Sequence, residues 1–136
     1  EALGRLAADH RLALISDTAF SPGRVLRKIL EAHDVERHFS ALVFSDEVGV
    51  SKPHPLMFDT ALNAVGASAS ESVHIGDIER TDIAGARAQG MKAILYRGDA
   101  TGRYYHENGP DGTAADAVAH SWEDVITIIN DWKGQA

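Results

Sequence analysis

The sequence predicts an α/β fold in which a parallel sheet is covered by helices. Three observations carry that expectation. Short apolar runs alternate along the chain with stretches whose apolar residues recur at helical spacing. The connections between them are marked by Gly, Pro and Ser. At 136 residues and 44% hydrophobic content, the chain is long enough for one core but not comfortably for two. A single domain over residues 1–136 is therefore expected.

Leu3, Leu6 and Ala7 stand at helical spacing, so residues 1–10 read as the end of a helix feeding a buried strand at Leu12 to Ile15. Ser21 and Pro22 form an N-cap and first-turn pair for a helix carrying Val25, Leu26, Ile29 and Leu30 to about Ala32. Ala41 to Phe44 is a second strand. The turn Ser51-Lys52-Pro53-His54-Pro55 is stiffened by its prolines and opens a helix with Phe58, Ala61, Leu62 and Val65 inward. A third strand, Ser72 to Ile75, runs into Gly76-Asp77. From Thr81 the pattern is helical through Ile83, Ala84, Ala86 and Arg87 and stops at Gly90, and Met91 to Tyr96 is a fourth strand. Residues 97–113 have no period and read as a long loop or lid. Asp116 to Ala119 is a short edge strand, and Ser121 caps a final helix buried through Trp122, Val125, Ile126 and Ile129.

Composition narrows the function classes. The net charge of -7 comes without a basic run, which argues against a nucleic-acid partner. No apolar run approaches the roughly 20 residues of a membrane span, and no secretory pattern opens the chain. Absence of cysteine excludes disulfides and thiolate metal sites, and a cytoplasmic setting is the expectation.

The chemistry-bearing residues lie where strands end. Asp77 and Asp82 span a strand-to-helix turn, so both carboxylates can face one crevice, where oxygen ligands suit magnesium; alternatively Asp77 forms the turn and Asp82 caps the helix. Lys52 precedes Pro53 at a strand-to-helix junction, which restricts its motion. Ser16 ends the first strand, where its hydroxyl and the next backbone amides can hold a phosphate oxygen, or where it is simply a turn residue. The histidines lack H-x-x-x-H or H-E-x-x-H spacing, so His54 reads as a turn residue and His74 as a strand residue. No dinucleotide or Walker loop is present; Gly85 to Gly90 lies late in a helix.

Ser16, Lys52, and Gly76-Asp77 with Asp82 occur in the order of the haloacid dehalogenase (HAD) superfamily, and the stretch around GVSKPHP resembles that family closely. The resemblance implies a Rossmann-like, HAD-like three-layer parallel sheet with helices on both faces. It also implies magnesium-dependent phosphatase chemistry on a small phosphorylated metabolite, with Asp77 and Asp82 on the metal and Lys52 and Ser16 on the phosphate. In that family the first strand ends in D-x-D, whose first aspartate is the nucleophile, and nothing before Ser16 matches it. The core is therefore expected to be N-terminally truncated, with the substrate-selecting cap absent. Asp17 departs from the family pattern, where a neutral residue such as asparagine follows the serine. It repels phosphate unless it binds the metal, or it replaces the nucleophile.

The family's nucleophile strand lies between the strands ending here at Ser16 and Asp77. Each buried backbone group left unpaired costs about 1 to 3 kcal/mol against a stability of about 5 to 15 kcal/mol. Direct pairing of the two flanking strands, or edge pairing between two copies as a homodimer, are the expected remedies. Two functions follow: a promiscuous, metal-dependent phosphomonoesterase using Asp17 or water, or an inactive core that pairs with itself or with an N-terminal segment.

Overall fold

The apolar runs form strands β1 (Ala13–Ser16), β2 (Ala41–Phe44), β3 (Val73–Gly76), β4 (Lys92–Tyr96) and β5 (Ala117–Ala119), each close to its expected bounds. Between and around them lie helices α1 (Ala2–Asp9), α2 (Gly23–Ala32), α3 (Ser45–Val48), α4 (Pro55–Val65), α5 (Ala84–Ala88) and α6 (Trp122–Gly134). The structure, a computed structural model, describes residues 1–99 and 112–135. Most of the 97–113 loop thus lies outside the described residues. No described helix is long and apolar enough to cross a membrane.

Every strand pair among the described residues is parallel, and the fold is α/β with helices on both faces of parallel sheets. The chain divides into two units, essentially Leu3–Ser68 and Ala69 onward. The first holds a sheet of β1-β2 and the second a sheet of β3-β4-β5. Parallel neighbours must lie at hydrogen-bonding distance over several residues, and each strand meets that condition with its own crossover partner.

In the first unit Ala13 stands opposite Ala41 and Ser16 opposite Phe44. Helix α4 packs on both strands, and its Met57, Phe58 and Ala61 are buried at helical spacing. His54 caps it, Nδ1 accepting the Leu56 amide at 3.2 Å. Helix α2 departs from expectation at its start. Pro22, not Ser21, is the N-cap, and the Gly23 amide donates to both Asp46 carboxylate oxygens at 3.1 Å. A full carboxylate at the positive end of a helix outdoes a neutral hydroxyl. Glycine is required at 23 because a Cβ would come within 2.8 Å of the Phe44 ring. Asp46 reaches this place from α3, a single turn absent from the sequence reading, which ends at left-handed Gly49.

The second unit is cored by Ile94, Ala119 and Val125, with Val73, Ile75, Ile129 and Trp132 against them. Ser121 caps α6 as expected, accepting the Asp124 amide at 3.1 Å while Asp124 accepts the His120 amide at 2.8 Å. Arg87 and the Ala93 amide both bind Asp116, fixing the approach to β5. The helix after β3 starts earlier than Thr81: a wide π-type turn at Glu79–Ile83 leads into α5.

Candidate functional site

The residues singled out by the sequence fall into one cluster in each unit. In the first, β1 ends at half-buried Ser16, followed by exposed Asp17. The Lys52 turn is tied to this strand end at two points. Its backbone N–H donates to Asp17 Oδ1 at 2.9 Å, and its ammonium reaches the Ile15 carbonyl at 3.4 Å. A cation is thereby held at the carboxyl end of β1, one residue from the Ser16 hydroxyl. The Lys52-Pro53 peptide is cis.

The structure thus brings Ser16, Asp17 and Lys52 together, and gives Asp17 an anchoring role that the sequence did not suggest. Of the amides after Ser16, that of Thr18 is already engaged by Ser45 Oγ at 2.7 Å. The Thr18 hydroxyl also joins Asp46 at 3.1 Å. These groups border an open cleft of about 370 Å³ whose lining includes Thr18, Ser45, Asp46 and Ser51.

In the second unit the strand ends at Gly76, and Asp77 follows with its side chain exposed. Asp82 is only 2% exposed. Its Oδ1 accepts from His74 Nε2 at 3.1 Å and its Oδ2 from the Ile78 amide at 3.0 Å. The two aspartates therefore share a turn, but they face different surroundings. His74 was legible only as a polar residue in an apolar strand, and its partnership with Asp82 was missed.

No three His, Asp or Glu side chains cluster as a metal cage among the described residues. Magnesium does not demand one, since it keeps several waters and is held through one or two carboxylates. Exposed Asp77 at a strand end fits as such an anchor. Asp82, with both oxygens already hydrogen-bonded, fits less directly.

The HAD-hydrolase-like family profile matches residues 49–125, more than half of the chain. The glyceraldehyde 3-phosphate phosphatase of Pyrococcus abyssi is 36% identical over 88 residues, covering 65% of this chain and 36% of that protein. Among solved structures, the 2-haloacid dehalogenase of Pseudomonas syringae superposes with a TM-score of 0.73 at 27% identity, covering 96% of this chain and 51% of that one. A Bacillus subtilis HAD-hydrolase bound to magnesium gives 0.79 at 19% identity, over 95% of this chain and 53% of the other, a likeness of fold alone. The chain spans about a third of the length of the curated relatives it matches.

Proposed function

The chain belongs to the HAD-hydrolase-like family, and from that premise we propose that it is the core of a magnesium-dependent phosphatase acting on small phosphorylated metabolites. The observation that carries this reading is the Lys52 ammonium, held at the carboxyl end of β1 beside Ser16. There it pairs with phosphoryl oxygens while the Ser16 hydroxyl donates to another. The curated relatives support the substrate class, since they include phosphatases of glyceraldehyde 3-phosphate and of phosphoserine.

Asp77 is the carboxylate we assign to magnesium, which when bound neutralises charge on the phosphoryl oxygens. Asp17 holds the Lys52 backbone and keeps the cation in place. Water then attacks phosphorus, the ester P–O bond breaks, and the alcohol leaves with a proton.

The test is hydrolysis of an aryl phosphate by the purified chain, with magnesium or with chelator, beside Asp77→Asn and Lys52→Ala. Turnover lost in the chelator and in both variants is the expected result; equal rates throughout overturn the reading. A second reading has its own observation. Strands β1 and β3 each have a ladder partner on one side only among the described residues. An inactive core that uses these edges to bind a second copy or an N-terminal segment would show assembly without metal-dependent turnover.

A further inference from the structure

His74 is the buried titratable side chain for which the proposed chemistry has no use. It stands inside β3 with 9% exposure, between Val73 and Ile75, which pack on the apolar core. An imidazole in such a place needs a polar partner, and Asp82 supplies one at 3.1 Å. The other Asp82 oxygen holds the Ile78 amide at 3.0 Å. The same carboxyl lies directly against Gly76, where an added Cβ would strike it. One side chain thus touches the backbone on either side of Asp77, and His74 fixes that side chain from beneath. The wide turn at Glu79–Ile83 brings Asp82 back over the strand end, with the Asp82 amide on the Ile78 carbonyl at 2.8 Å.

We propose that His74 is a positioning residue: through Asp82 it braces the backbone from Gly76 to Ile78, so that the Asp77 carboxylate is presented in one orientation. Asp82 on this account acts behind the metal site and not on the ion. The consequence for magnesium rests on the reading of Asp77 given above, whereas the brace does not. Removing a hydrogen bond that orients a ligand typically weakens metal affinity by about ten- to a hundredfold.

The experiment uses the full chain as His74→Leu, His74→Gln and Asp77→Asn. Glutamine places an amide N–H near the former Nε2, so it restores the bond without the ring. Hydrogen exchange at the Ile78 amide and calorimetric magnesium titration are the two readouts. In His74→Leu, Ile78 is expected to exchange at least about tenfold faster while Ile94 and Leu95 keep their protection, and magnesium affinity to fall about tenfold. His74→Gln should return both to within about threefold of the parent.

Parent-like exchange in His74→Leu overturns the brace, and so does a glutamine variant no better than the leucine one. Equal magnesium affinity in the parent and Asp77→Asn overturns the reading of Asp77 instead, and the exchange arm then decides the brace alone. Should His74→Leu not fold, His74→Met replaces it. It fills the space without a hydrogen-bond donor, so faster exchange at Ile78 supports the brace and unchanged exchange refutes it.

Discussion

Asp17 owes its role to a single bond. Its Oδ1 takes the Lys52 amide at 2.9 Å, and an asparagine Oδ1 would do the same. Asp17→Asn should therefore leave the thermal midpoint unchanged. It also removes a negative charge beside the phosphate position, an effect of about 1 kcal/mol at contact distance in water, or about fivefold. The expected outcome is retained turnover with a lower KM for an aryl phosphate; abolished turnover would make Asp17 the nucleophile instead. Gly76 is constrained more tightly, because Gly76→Ala drives a methyl into the Asp82 carboxyl. Overpacking of this kind costs about 1 to 3 kcal/mol, and thermal melting checks it. Lys52 and Asp77 were legible in the sequence because one stands in the turn before a helix and the other at a strand end, each beside residues that make turns. The inward aim of Asp82 was not, since it depends on a histidine from the preceding strand.

At the scale of elements, the start of α2 shows how a local signal is overruled. Ser21-Pro22 is a sound capping pair, yet the helix begins one residue later and is capped by Asp46 from α3. Asp46→Ala should therefore lower stability by about 1 kcal/mol, whereas Ser21→Ala should change it little. Paired denaturation curves with equal slopes would show this, and the opposite ranking would restore Ser21 as the cap. Helix α6 is the converse case, since Ser121 and Asp124 lie within its own first turn and the cap was legible. The strands were found to within about a residue, because an apolar run bounded by turn residues is a short-range signal.

For the whole molecule, the question is what completes the two sheets. In β3 the Ser72 carbonyl accepts from Lys92, so alternate residues face β4 and the backbone groups of Val73 and Ile75 face the opposite edge. Such an edge is a template for another strand. If the chain self-associates there, sedimentation coefficients rise with concentration and the Val73 and Ile75 amides gain protection from exchange over the same range. A monomer at all concentrations, with both amides exchanging fast, would rule out pairing at this edge.

The sequence by itself determined the alternation of strands and helices, the parallel α/β class, the strand-end positions of Ser16 and Asp77, and the place of Lys52 in the turn before α4. Each of these follows from periodicity and turn chemistry within a few residues. Only the tertiary structure decided that the strands make two sheets, that Asp46 caps α2, that Asp17 anchors Lys52, and that Asp82 turns inward to His74. The physical reason is common to all four. A carboxylate or a strand edge takes whichever donor the folded chain brings within about 3 Å, and residues distant in sequence become neighbours only through packing.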